Sequence, residues 1–524
     1  MQNIGWAAFG LLVVAYVSFF VQLTSLPYQD FPNHLARAVV MADLIFHHGA
    51  QFGQLYDYHF MPVPYVLGDL LLAGAVELLG PTLASGLWTA IVLLSLPAAL
   101  LFYLHVNEVP RGGRAFVLLL SLYLATDWFF LMAFTQFRLG FALMLVAIAC
   151  ADLLRRRWSL RRFALYCAVV VIAYLSHLAA VVFLAPALVT SALVRLWFRR
   201  TTVRRELWLI APVLAVLGWH FGAGQRAPES SDVLPAYHYV WGTVYEKFRG
   251  LDFELVRFAQ PFSKILMIML TLSLLWGMNR DLRWRNLKRP AVVEMLALAA
   301  TFLGIYIVLP SSYADAAYVD VRALAPITLF LILARVYLAD EATAEQAFSD
   351  SFILPFVALL AMCNLGYLAF YMYKDEVWAD GYRAVVAKIP RGARVLPVYT
   401  SGVTGTVAPL LHTGSYVVTD RAALTPYLFS GSGGNPMKYF RYKETVYAPP
   451  QRWYNAQLPV MISARAIVCN YEYLLVGKPF DPRRIDLRTT KIAENDSAAL
   501  LAIDPRGYTC DKPHGRPQLT TVQR

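Results

Sequence analysis

Charge is what this sequence is short of. Lys, Arg, Asp and Glu make up 15% of its 524 residues, against about 25% in an ordinary soluble domain. With 58% hydrophobic residues and a mean hydropathy of +0.50, this excludes a chain that folds wholly in water. Cysteine is scarce as well. Of five residues, Cys150, Cys167 and Cys363 fall in apolar runs as packing residues, and no pair has the spacing of a metal site. Cys469 and Cys510 share the polar C-terminal stretch, where oxidation to a disulfide is open to them outside the cytoplasm. The first apolar segment, Ile4 to Leu23, lacks a basic leader and a small-residue cleavage site, so it reads as a retained span. No internal repeat is visible, which counts against the repeat-built transporter folds.

What is present is a series of apolar runs, 16 to 20 residues long, between Ile4 and Tyr373. That length crosses a bilayer as a helix and is too long and too apolar for barrel strands. Spans are expected at 4–23, 84–104, 115–131, 138–154, 163–176, 178–194, 207–222, 263–278, 292–310, 323–339 and 352–373. The formal charge of +12 sits between these runs, in clusters at Arg155–Arg162, Arg195–Arg205 and Arg280–Arg289. This is the positive-inside pattern of cytoplasmic loops; it implies anionic membrane lipids as partners and no nucleic acid. Eleven crossings from an inside N-terminus then place loops 24–62, 223–262 and 311–322 outside, together with everything from Lys374. The apolar stretch 63–80 breaks this parity if it crosses alone, and Asp69 and Glu77 within it favour an interfacial, re-entrant or paired placement. The hairpins around Asp127–Gln136 and Ser176–His177 join short helices, as at the edge of a cavity.

The region 1–373 thus reads as a membrane domain, and 374–524 as an extracytoplasmic domain with frequent Pro and Gly. Arg394–Tyr399, Ser415–Val418 and Tyr471–Val476 have strand character, which predicts a small mixed α/β fold.

Residues able to do chemistry concentrate in the outer stretches. The first opens with Pro27-Tyr28-Gln29-Asp30-Phe31-Pro32-Asn33-His34, a carboxylate and an imidazole that a helical bundle does not need for folding. Asn33 to Phe46 has helical composition with Leu35, Val39, Ala42 and Ile45 on one face. This predicts a helix along the membrane surface, capped by Asn33. Asp30 reads either as a turn residue or as a positioned base, and His34 alone is a weak metal ligand. The second stretch carries Tyr237-His238-Tyr239-Val240-Trp241, an interfacial belt or a surface for a sugar ring. It leads to Arg257 and Lys264, which either snorkel or hold a lipid phosphate. The third contains Tyr313, Asp315, Asp320 and Arg322, the last a structural ion-pair partner or a phosphate anchor. Asp127 and Arg138 are placed to pair across their turn, and His177 is a cavity residue.

These features resemble the GT-C superfamily of integral membrane glycosyltransferases, which includes protein mannosyltransferases and the aminoarabinose transferases of lipid A. The resemblance rests on Asp30 in Tyr28-Gln29-Asp30-Phe31-Pro32-Asn33-His34-Leu35 after the first span, the following surface helix, and the Pro62–Gly80 segment. It rests also on the short paired helices, on Arg322 before a span, and on the appended domain. One departure is that Phe31 follows Asp30 where several members have paired acidic residues. The resemblance implies a polytopic α-helical membrane protein of about 11–13 transmembrane helices with a C-terminal periplasmic mixed α/β domain, in the bacterial inner membrane. It implies inverting transfer of a sugar from a polyprenyl-phosphate-linked donor to a lipid, glycan or protein acceptor. By it Asp30 is the general base, with His34 as a second catalytic candidate. Arg257, Lys264, Arg322, Tyr313 and His177 are the lipid-phosphate or sugar contacts. Some members use a divalent metal ion and others do not, so the cofactor is undefined. The displaced phosphate is already an anion, so one carboxylate and one or two cations suffice, unlike the two carboxylates usual in hydrolysis. The competing readings are a transporter or flippase of lipid-linked glycans, a polysaccharide polymerase or ligase, and a non-enzymatic assembly component.

Overall fold

The computed structural model of the chain describes residues 2–25, 28–109, 111–222, 239–250, 262–275, 284–313, 316–339, 352–398, 407–428, 440–443, 463–479 and 487–510. Its first part is a helical bundle: α1 (Gln2–Gln22), α2 (Phe31–Phe46), α3 (Val66–Val106), α4 (Arg111–Ala125), α5 (Trp128–Leu131), α6 (Thr135–Arg156), α7 (Leu160–Ser176), α8 (Leu178–Trp197), α9 (Val203–Gly222), α10 (Val244–Arg249), α11 (Phe262–Leu275), α12 (Pro290–Val308), α13 (Leu324–Leu338) and α14 (Ile353–Val386). Each of the eleven expected spans falls on one of these helices. Eight segments of this bundle are long and apolar enough to cross a bilayer. Among the described residues α7 has 17 residues and α11 has 14, and with α9 they stand where the remaining spans are expected. At the centre lies α4, buried without interruption from Ala115 to Ala125, as expected of a helix that is apolar all round.

The element α3 is 41 residues long, about 60 Å at the helical rise, twice the hydrocarbon thickness. It breaks at Gly80 (φ 77°, ψ 163°), where glycine tolerates the positive φ and Pro81 favours the extended ψ before it. Its first half runs alongside α2: Arg37 pairs with Asp69 at 2.6 Å and His47 with Glu77 at 2.8 Å. This half therefore keeps company with α2, and the break at Gly80 sets it off from the rest of the helix.

The hairpin of α5 carries the expected pair. Arg138 Nη1 donates to Asp127 Oδ2 at 2.6 Å, and both side chains are buried. Asp127 Oδ1 caps α5 by accepting from Phe130 N–H at 2.9 Å, while Arg138 Nη2 donates to the Leu124 carbonyl at 3.1 Å.

The last helix, α14, runs on through Lys374 and carries the C-terminal domain. Four strands, β5 (Val395–Val398), β7 (Tyr473–Gly477), β8 (Thr489–Glu494) and β9 (Ala498–Ile503), form a sheet in the order β5-β7-β9-β8. Only β5 and β7 are parallel. Two of the three expected strands are found; Ser415–Val418 instead enters helix α15 (Tyr416–Arg421). There Tyr416 Oη donates to the Ser25 carbonyl and its ring lies under the Arg383 guanidinium at 4.8 Å, so tertiary packing overrides strand propensity. Cys469 and Cys510 form the expected disulfide.

The domain is fastened to the bundle at several places. Arg383 forks onto Asp420 with two bonds of 2.8 Å and donates to the Thr24 carbonyl. Glu376 accepts from the Thr24 and Ser25 N–H groups. Finally, β1 (Tyr56–Tyr58) in the first loop pairs antiparallel with β6 (Phe440–Tyr442), stacking Tyr56 on Phe440 at 5.4 Å. The helix α2 is thus enclosed. Nearly all of Phe31–Asp43 is buried, where the sequence pattern leaves one face for the membrane surface.

Removing one member of a buried ion pair strands the other charge. Arg138→Met is expected to cost about 3–5 kcal/mol, read as a lower melting temperature in detergent. Asp127→Asn combined with Arg138→Met, which removes both charges and keeps the cap, should recover most of the loss.

Candidate active site

The site forms where several helix ends meet beneath the C-terminal domain. Asp30 occupies the cap position of α2, with Pro32 in the first turn, where a missing N–H costs nothing. Its carbonyl accepts from the N–H groups of Asn33 and His34, but its carboxylate makes no cap bond. The carboxylate instead lies 3.4 Å from His412 Nε2, with side-chain exposures of 15% for Asp30 and 5% for His412. Asn33, expected to cap the helix, lies inside it and donates to the Tyr427 carbonyl at 2.6 Å. Gln29 accepts from Ala408 N–H at 2.9 Å, and its own N–H reaches the Leu131 carbonyl. Below, Tyr28 packs edge-on against Phe130, ring centroids 5.1 Å apart. Asp30 is thereby fixed from both sides.

One turn further, Arg37 Nη2 donates to His34 Nδ1 at 3.0 Å and to Asp69 Oδ1 at 2.6 Å. Gln136 Nε2 donates to the same Asp69 oxygen at 2.7 Å. The approach of α3 to α6 depends on Gly68, since a Cβ there would fall 2.8 Å from Gln136 Cγ. The other half of the site is built around the α7–α8 turn. His177 Nδ1 accepts from Ala179 N–H at 3.0 Å, which places the hydrogen of a neutral ring on Nε2. That nitrogen lies 3.1 Å from Tyr65 Oη and 3.3 Å from Arg322 Nη1. The Arg322 guanidinium rests over the rings of Phe134 and Phe137 at 5.4 and 5.7 Å. Ser176 Oγ donates to the Gln136 carbonyl at 3.0 Å and so joins the two halves.

Of the residues singled out in the sequence, Asp30, His34, His177 and Arg322 converge on this cluster. Lys264 is exposed in the first turn of α11, and Arg257 lies outside the described residues. Tyr313 contributes backbone to a small sheet, where β3 (Ser312–Tyr313) pairs with β2 (Tyr239–Val240) and β4 (Ala316–Ala317). Asp320 does not serve Arg322; it takes the Lys247 ammonium and the Val321 N–H. Sequence reasoning passed over Arg37 and His412. The first was detectable as a cation inside an otherwise apolar helical pattern. The second is 382 positions from Asp30 and carries no local signal. Among the described residues no three His, Cys, Asp or Glu side chains converge as a metal requires, and His34 turns its Nδ1 to Arg37.

Fold and site together define a polytopic helical membrane protein in which an α/β domain closes over a cluster bearing a carboxylate and a guanidinium. This fold is shared with ArnT from Cupriavidus metallidurans. The likeness to its apo crystal structure has a TM-score of 0.54 at 14% identity, covering 96% of this chain and 98% of that one. For the crystal structure of the same protein bound to undecaprenyl phosphate the TM-score is 0.52 at 14% identity, covering 95% and 98%. No protein-family model and no curated protein matches the sequence. The architecture expected from the resemblance is the one found.

Burial, then the Arg37 guanidinium, then His412 hold the His34 imidazole well below its ordinary value of 6.5. A depressed folded value means the unfolded chain takes up the proton first. The stabilisation is therefore complete above pH 6.5 and is lost as pH falls from there towards the lowered value. The melting temperature should drop over that acidic range, and His34→Gln, which still accepts from Arg37, should flatten the decline.

Proposed function

We propose that this protein is a membrane glycosyltransferase that moves a sugar from a polyprenyl-phosphate donor to a lipid, glycan or protein acceptor, with inversion. The observation behind this reading is that, on an ArnT-like fold, a run of polar contacts through His34, Arg37, Asp69, Gln136, Ser176 and His177 joins the helix start that carries Asp30 to the ring-supported Arg322 guanidinium. The donor's phosphate is held by Arg322 through charge-assisted bonds, with His177 and Tyr65 beside it. Lys264 and Arg257, on either side of the start of α11, and Tyr313 are proposed as further phosphate or sugar contacts. The acceptor hydroxyl attacks the anomeric carbon as the bond from that carbon to the phosphate oxygen breaks. The acceptor's proton passes to Asp30, and the polyprenyl phosphate departs as an anion stabilised by Arg322. His34 stays neutral and holds Arg37 in place beneath this carboxylate.

The chain is placed in a bacterial inner membrane, with the C-terminal domain in the periplasm. The helix α6 leads from Gln136 in the site to Arg155, about 29 Å away at the helical rise. There Arg155 and Arg195 share Asp152 and pair with Glu206 and Glu294. The basic loops thus lie opposite the domain, in accord with the positive-inside rule, and the disulfide suits an oxidising compartment.

Purified protein in nanodiscs is to be tested with a panel of undecaprenyl-phosphate-linked hexoses and pentoses, reading release of undecaprenyl phosphate. Asp30→Asn should lower kcat by about 10²–10⁴-fold, the range of general base catalysis, while donor binding persists. Arg322→Ala should weaken donor binding and also slow turnover. Full turnover by Asp30→Asn would overturn Asp30 as the base, and no release from any donor by the unaltered protein would favour lipid transport instead.

A further inference from the structure

We propose that His412, contributed by the C-terminal domain, is a positioning residue for Asp30, so that the catalytic centre is complete only when that domain is docked. The inference rests on the glycosyltransferase reading above and extends it to a residue far outside the membrane domain.

The segment that carries Asp30 is bracketed by the C-terminal domain. Tyr416 Oη donates to the Ser25 carbonyl upstream. Ala408 N–H donates to Gln29 Oε1 at 2.9 Å, and the Tyr427 carbonyl accepts from Asn33 Nδ2 at 2.6 Å just downstream. Between these anchors sits His412. Its backbone is held by a tight turn: Leu411 N–H donates to the Ala408 carbonyl at 3.0 Å, and Ser415 N–H to the His412 carbonyl at 2.9 Å. A 3₁₀ turn, Thr413–Ser415, follows and leads into α15, with Thr413, Ser415 and Tyr416 all buried. The imidazole has little freedom left.

Asp30 has the opposite character. Its backbone is fixed at the start of α2, but its carboxylate makes no bond to the helix it begins. With the usual cap bond unmade, a carboxylate keeps side-chain rotation that would scatter a base over several directions. The neighbour that limits this is His412 Nε2 at 3.4 Å. This is looser than an ideal N–H···O bond and of the kind that tightens when a reactant fills the site. With one carboxylate oxygen facing the imidazole, the other is left for the acceptor hydroxyl. A merely structural contact between domains would be served by the Arg383–Asp420, Tyr416–Ser25 and Asn33–Tyr427 bonds, none of which touches the Asp30 side chain.

The test uses the full chain in nanodiscs and the same donor panel. His412→Ala should lower kcat by about 10–100-fold, the scale of a misplacement near 1 Å, with the donor KM unchanged. His412→Gln, which returns an N–H near the place of Nε2, should restore most of kcat. Tyr416→Phe removes a docking bond without touching Asp30 and should keep kcat. Unchanged kcat in His412→Ala, while Asp30→Asn is inactive, would overturn the inference and leave the glycosyltransferase reading intact. Equal losses of kcat and melting temperature in all three variants would also overturn it, since they would mark a docking role alone. Full turnover by Asp30→Asn would overturn the base assignment itself, and this inference with it.

Discussion

Arg37 and Asp69 meet at 2.6 Å with side-chain exposures of 0% and 2%, and the arrangement of the site depends on that pair. Removing two charges from water costs several kcal/mol per ion, and apolar burial could hold α2 against the first half of α3 without them. Apolar burial, however, is non-directional. It would let the two helices slide past each other, and Asp30, about two helical turns before Arg37, would move with α2. The ion pair, with Gln136 as a second donor to Asp69, sets the register between α2, α3 and α6. Through Ser176 it also sets where His177 and Arg322 stand.

The same constraint explains why the C-terminal domain rests where it does. Once α2 is locked to the bundle through Arg37, the face at its first turn presents Asn33 and Asp30. The domain covers that face and supplies the Tyr427 carbonyl and His412. The helix α14 delivers it there without a break, continuing from the bundle to Val386. The Arg383 fork and Glu376 then fix the angle between the domain and the exit of α1. The domain is in this sense a wall of the site.

Much of this was legible in the sequence. Length and apolarity sufficed for the long helices of the bundle, because a bilayer permits few alternatives to a helix. The Asp127–Arg138 pair was legible because two opposite charges within one apolar hairpin need each other. The route of 63–80 was not settled by hydropathy, since an apolar helix enclosed between protein and lipid has the composition of a span. Its partners, Arg37 and His47, lie about thirty positions earlier. The Gly80-Pro81 pair was the local sign of the break in α3. Asn33 was misplaced as a cap because a side chain bonded to a distant carbonyl leaves no trace in its neighbours. For the same reason His412 was invisible: nothing near it in the chain indicates a carboxylate.

A polar cluster at the edge of a bilayer, ringed by aromatic faces and closed by a folded domain, suits a substrate with a charged head and an apolar tail. Arg322 supplies the positive charge over the Phe134 and Phe137 rings, and Asp30 lies on the domain side. The most direct check is a cryo-EM structure of the protein in nanodiscs with saturating undecaprenyl phosphate. The account predicts phosphate density against the Arg322 guanidinium, with Asp30 facing the space where a sugar would stand. Phosphate density only among the arginine clusters at the far end of the bundle, with none at Arg322, would contradict it.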